Sequence, residues 1–170
     1  MGVFTGKTAV VTGASSGIGR AIALRLGEAG AHVFAPGRRK EALADTVAAV
    51  AAAGGTASAV AADLRDPGEV QGLVDRAMAD TGRLDVMVNN AGVSFLGPLG
   101  DGDPEAWREM LEINVLALAV GSRVIQAGLR RFLESTRQRM LSLFTIGIRW
   151  VMFCLTHERS LPKNLSPVPI

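Results

Sequence analysis

The chain has 170 residues, 48% of them hydrophobic and 20% charged, and a formal net charge of +2. That length and apolar content suit one domain with a sizeable core and exclude a chain disordered throughout. A single cysteine, Cys154, excludes an intrachain disulfide framework and fits a reducing, cytoplasmic compartment, and the approach to Lys7 lacks the apolar core of a secretory leader.

Thr8 to Val11 is an apolar run that predicts a strand, and Gly13, Gly17 and Gly19 follow it within seven residues. Ile22, Leu24 and Leu26 among alanines then predict a helix that stops at Gly30. In such a strand–turn–helix, Gly13 permits a sharp exit from the strand, Gly17 lets backbone approach a ligand, and Gly19 brings helix and sheet close. The free N–H groups of the new helix, with Ser15, Ser16 and Ile18 around them, would face an anion such as a pyrophosphate. The G-x-x-x-G-x-G spacing departs from the commoner G-x-G-x-x-G fingerprint, so a glycine-rich turn that binds nothing competes with this reading.

Ala31 to Ala35 predicts a second strand, closed by Pro36-Gly37, and Arg38 to Ala53 a helix ending at Gly54-Gly55. Thr56 to Ala61 predicts a third strand, followed by Asp63. Pro67 opens a helix whose apolar positions Val70, Leu73, Val74 and Ala77 repeat as far as Thr81-Gly82. Leu84 to Val88 predicts a fourth strand, running into Asn89-Asn90-Ala91-Gly92. After a Gly/Pro-rich loop, Asp103-Pro104-Glu105 reads as the cap and first turn of a long helix through Trp107, Leu111, Ile113 and Val115. Strands alternating with helices predict right-handed crossovers and an α/β, doubly wound parallel sheet.

Composition changes near the end of that helix. All 25 alanines lie at or before Ala127. Residues 1–128 carry eleven Lys/Arg and fourteen Asp/Glu, residues 129–170 seven and two, so the basic excess belongs to the C-terminal segment. Nucleic acid is therefore not an expected partner of the folded part. The division predicts a folded domain over 1–128 and a divergent tail over 129–170. Met140 to Leu155 reads as a strand, a buried helix or an interfacial segment. With Arg149 inside sixteen residues it is a poor membrane span.

Four features in order resemble the short-chain dehydrogenase/reductase family: Thr12-Gly13-x-x-x-Gly17-Ile18-Gly19, Asp63-Leu64, Asn89-Asn90-Ala91-Gly92, and Asn114 within Ile113-Asn114-Val115. The resemblance covers about residues 5–125, half of a usual member, and implies a Rossmann-like sheet truncated after about four βα units. It implies a dinucleotide cofactor held by Gly13, Ser15, Ser16, Gly17, Ile18 and Gly19, with adenine at Asp63 and Leu64 and a ring or ribose passing Asn90, Ala91 and Gly92. A carbonyl or alcohol would be the substrate, and Asn114 would hold a water in a proton relay. Asn114 as a plain structural residue is the competing reading.

Cofactor choice follows from the end of the second strand. An NAD site would place Asp or Glu there for the ribose 2′-hydroxyl. This chain has Gly37-Arg38-Arg39-Lys40, with no acid before Glu41. Arg38, and next Arg39, are the candidates to pair with a 2′-phosphate, so NADP is expected over NAD. No metal is expected, because His32 and His157 have no partners at ligand spacing.

Family catalysis uses a Ser, a Tyr and a Lys four residues after the Tyr. The chain has no tyrosine, and Lys7, Lys40 and Lys163 stand in no such motif. Ser142 falls 28 residues after Asn114, near the family's Ser, a match read as coincidence. Two readings follow: an NADP(H)-linked oxidoreductase of carbonyls or alcohols, truncated and inactive, or a non-catalytic nucleotide-binding or interaction form. The helix after Asp103 is the candidate surface for pairing with a second copy or a relative.

Overall fold

In a computed structural model of the chain, residues 2–95 and 101–124 are described. Four strands, β1 (Thr8–Val11), β2 (His32–Gly37), β3 (Thr56–Ala61) and β4 (Val86–Val88), form one parallel sheet in the order β3-β2-β1-β4. Helices α1 (Gly17–Glu28), α2 (Lys40–Ala52) and α3 (Pro67–Thr81) connect them, and α4 (Pro104–Leu111) follows β4. This is a Rossmann-like doubly wound sheet. β4 has β1 on one side and no described strand on the other.

The two-residue repeat of the strands sorts the core onto two faces. Ala9, Val11, Val33 and Ala35 pack with Ala23 of α1 and Leu43 of α2 on one face, whereas Val10 and Phe34 meet Ala77 of α3 on the other. Both faces are covered, which is why all four residues of β1 are buried. Val70 and Val74 of α3 pack in turn against Val120 and Val124 beyond α4.

The helix starts at Pro67 and Pro104 have a shared cause. Asp66 accepts from Gly68 N–H at 2.7 Å, Asp103 accepts from Glu105 N–H at 3.0 Å, and each proline needs no N–H at its first-turn position. α3 stops at Gly82, whose φ of +73° is the left-handed cap that glycine adopts most easily.

Several boundaries differ from expectation, among them the start of β4, which lies at Val86 and not at Leu84. β2 runs on to Gly37, because β1 pairs it only as far as Val10↔Phe34 and Pro36 lies beside β3 alone. α2 begins at Lys40, which leaves Arg38 and Arg39 outside the helix at the strand's end. The long helix is interrupted by a π-helical turn, Glu112–Leu116, before helical residues 117–124.

At the opposite edge of the sheet, Asp85 joins β1 to β4. Its carboxylate accepts from Thr8 N–H at 2.9 Å and from Arg83 Nε at 2.7 Å, with Lys7 Nζ 3.3 Å away. Burial raises the carboxyl pKa, but the donors from Arg83, Thr8 and Lys7 outweigh it and the net shift is downward. His32 stacks on Phe34 at 4.7 Å between ring centroids, with Nε2 2.9 Å from Ser58 Oγ. Among the described residues no helix is long and apolar enough to cross a membrane, and no three His, Cys, Asp or Glu converge to hold a metal. Ser142 and the segment 140–155 lie outside the described residues.

Candidate cofactor site

Because all four strands are parallel, every segment singled out after a strand emerges at the same edge. Gly13 to Ser16 follow β1, Arg38 and Arg39 follow β2, Asp63 and Leu64 follow β3, and Asn90 to Gly92 follow β4. The chain reverses its direction of sheet growth between β1 and β4, and a crevice at such a switch point is where open α/β sheets take ligands. Thr12, Leu64, Met87, Ala91 and Ile113 line a shallow crevice there.

The glycines divide their work. Gly13 has φ +68°, and a Cβ on it would lie 2.9 Å from Ala91 Cα and from Asn90 Nδ2. It serves both the turn and the close approach of the loop after β4. A Cβ on Gly19 would collide with the Gly13 carbonyl and with Asn90 Nδ2, so Gly19 lets α1 close on the turn itself and on the loop after β4, where packing on the sheet was expected. Gly17 has φ +53° with open space where a Cβ would stand. That face of the turn is open to a ligand, and the exposed Ile18 side chain lies next to it.

Thr12, named in the glycine motif but given no role of its own there, joins the two loops. Its Oγ1 donates to Val88 C=O at 3.1 Å and accepts from Asn90 N–H at 2.9 Å and Ala91 N–H at 3.0 Å. Asn90 Nδ2 donates back to Thr12 C=O at 3.1 Å. Thr46, fully buried on α2, donates to Ala14 C=O at 2.9 Å and anchors the turn from below. The only sequence signal for Thr12 is its place directly before Gly13, and for Thr46 a polar residue on an apolar helix face.

The two arginines after β2 point to different places. Arg39 Nη2 donates to Ser15 Oγ at 2.7 Å and to Ser16 Oγ at 2.9 Å. It therefore holds a cation beside the N-terminus of α1, whose first turn contains no acid and whose cap, Ser16, makes no side-chain bond to it. A fixed guanidinium and a helix N-terminus attract the same sign of charge, so this corner would favour an anion over a cation. Arg38 turns toward Asp63 and Glu109 instead.

Asp63 is held by its neighbour. Arg65 Nε lies 3.0 Å from both carboxylate oxygens, and this hydrogen-bonded guanidinium holds the Asp63 carboxyl down at about 2. Asp63 is therefore an acceptor only, as an adenine amino group would require. Asn114 stands in the π-helical turn, where its Oδ1 accepts from Val93 N–H at 2.9 Å and its Nδ2 donates to Val93 C=O at 2.8 Å. The side chain fixes the loop after β4, and a Cβ on Gly92 would come within 3.2 Å of Asn114 Oδ1.

Residues 7–138 match the family model described as short chain dehydrogenase. The chain is 50% identical to 1-deoxy-11-beta-hydroxypentalenate dehydrogenase of Streptomyces avermitilis, over 96% of this chain and 65% of that protein. That match extends past residue 129. It is 37% identical to 3beta-hydroxysteroid dehydrogenase 2 of Eggerthella lenta, over 78% of this chain and 50% of that one. A crystal structure of a metagenomic short-chain oxidoreductase in complex with NADP superposes with a TM-score of 0.68 at 41% identity, covering 71% of this chain and 55% of that one. The chain spans about half the length of most of the curated relatives it matches.

Proposed function

This chain belongs to the short-chain dehydrogenase family, and we propose that it binds NADP(H) across the carboxyl ends of its strands, in preference to NAD(H). The observation that carries this reading is Arg39, a cation fixed by Ser15 and Ser16 at the positive end of α1 with no acid in the first turn. A 2′-phosphate would meet Arg39, with Arg38 beside it. The pyrophosphate would lie along Gly13, Ser15, Ser16, Gly17, Ile18 and Gly19, whose open face at Gly17 has room for it. Adenine would meet Asp63 and Leu64, and the far ribose would pass Asn90, Ala91 and Gly92. The protein of the metagenomic complex binds NADP, which supports the same choice here. Titration calorimetry with NADPH and NADH tests it: NADPH should bind more tightly by tenfold or more, the worth of about 1.4 kcal/mol. Tighter NADH binding overturns the preference, and no binding of either overturns the site.

The family's chemistry is hydride exchange between cofactor and a carbonyl or alcohol, and this is the activity proposed for the lineage of the chain. A second reading is favoured by one observation: these 170 residues contain no tyrosine to move the proton. Asn114 stands ready in the π-helical turn, but its amide is engaged with Val93. We therefore expect the 170-residue chain to show a cofactor-induced thermal shift without ketone-dependent NADPH oxidation. Turnover on a panel of ketones would restore the enzyme reading. A cytoplasmic location fits the reducing compartment read from Cys154, and pairing with a second copy through α4 is supported by its exposed Trp107 and Leu111.

A further inference from the structure

Beyond the cofactor corner, four charged side chains meet where β2, β3 and α4 converge. Arg38 Nη1 lies 4.0 Å from Asp63 Oδ2, and Arg38 Nη2 lies 3.6 Å from Glu109 Oε1. Arg65 Nη1 lies 3.7 Å from the same Glu109 oxygen. Glu109 arrives from α4, 46 positions beyond Asp63, so only the tertiary fold brings it here.

The two carboxylates are not equivalent. Asp63 is committed to Arg65 through both oxygens, with Nε at 3.0 Å from each. Glu109 approaches both arginines at distances longer than direct hydrogen bonds, and its side chain is 28% exposed. Its hold on Arg38 is a loose, partly solvated ion pair of the kind a stronger anion displaces. A phosphate monoester offers a guanidinium the same paired oxygens as a carboxylate, with more charge.

We propose that Glu109 is a specificity-determining residue that competes internally for Arg38, so that its carboxylate tunes the preference for 2′-phosphorylated over unphosphorylated adenine nucleotides. This rests on the cofactor reading above. The carboxylate occupies Arg38, one of the two guanidinium groups that a 2′-phosphate would meet beside Arg39, and it repels that phosphate once Arg38 is released. Both effects vanish for a nucleotide with a free 2′-hydroxyl. Glu109 therefore lowers the discrimination that Arg38 and Arg39 would otherwise provide, and α4 carries a control on cofactor choice that the strand ends alone do not contain.

The test uses the full chain, with adenosine 2′,5′-bisphosphate and 5′-AMP as calorimetric probes of the adenosine half-site. Glu109→Gln should tighten the bisphosphate about two- to fivefold, the range open to an exposed ion pair, and leave 5′-AMP unchanged. The unchanged 5′-AMP affinity also shows that the variant is folded. In an Arg38→Ala background, Glu109→Gln should no longer tighten the bisphosphate, since the pair it breaks is already gone. Equal changes for both nucleotides, a weaker bisphosphate, or the same gain without Arg38 each overturn the proposal while leaving the cofactor site intact. Failure of the unaltered chain to bind either nucleotide overturns the site reading and this inference with it.

Discussion

Thr12 and Asp85 show how single side chains hold the sheet at its two ends. Thr12 satisfies a carbonyl and two N–H groups where β1 and β4 diverge, so neither loop can move without orphaning a polar group. Asp85 does the equivalent work at the other end, accepting from Thr8 N–H and from Arg83. Its carboxyl is held below the ordinary range by these donors against the opposing effect of burial. A depressed folded-state pKa means that the contribution is complete above the unfolded value near pH 4 and is lost as pH falls through the folded one. Asp85→Asn should therefore cost about 1 kcal/mol in urea unfolding at pH 7, the worth of a charge-assisted bond discounted for partial exposure. The gap between the two proteins should close below about pH 4. A gap that widened in acid would mean that the carboxylate is not the stabilising species.

At the scale of elements, the π-helical turn within the long helix is the feature that helical periodicity did not anticipate. One extra residue in the turn breaks the regular ladder, an insertion that often marks a functional site. Here it places Asn114 opposite Val93, where the amide pairs with both backbone groups of that residue as a neighbouring strand would. Asparagine's poor helix propensity is offset by that pair of bonds. Asn114→Leu should cost about 1–3 kcal/mol, because it leaves a backbone N–H and a C=O without partners. Hydrogen exchange at Val93 should rise well above that of β4. Unchanged protection at Val93 would show that the loop does not depend on this side chain.

The molecule as a whole leaves an apolar stripe exposed along one helix, although the Trp107 ring also lies against Gly102. Trp107, Leu111 and Val115 recur every four residues and are 39%, 63% and 50% exposed. An apolar stripe of this spacing covers itself when two copies of the helix cross. If the proposed pairing holds, sedimentation should give a dimer for the chain and a monomer for Leu111→Glu, with unfolding of the monomer little changed. A chain that is monomeric at high concentration would count against the surface. Such a pairing would bear on the cofactor site as well, because Glu109 lies on α4 with Trp107 and Leu111.

The order of strands and helices, the glycine turn, the capped starts at Pro67 and Pro104 and the family itself were legible in the sequence, because each depends on residues close together in the chain. Periodicity and capping are local physics, and the turn's φ values at Gly13 and Gly17 follow from the same short range. What neighbours in space decide was not legible. By position Arg38 ranks ahead of Arg39 as the partner of a 2′-phosphate, whereas the tertiary fold sets Arg38 against Glu109 of α4 and Arg39 against the two serines. Thr12, Thr46 and Asn114 likewise gain their roles from partners 78, 32 and 21 positions away. Local spacing marks where a nucleotide would lie, whereas the long-range contacts set which charges meet it, since Coulomb energy depends on distance through space and not along the chain.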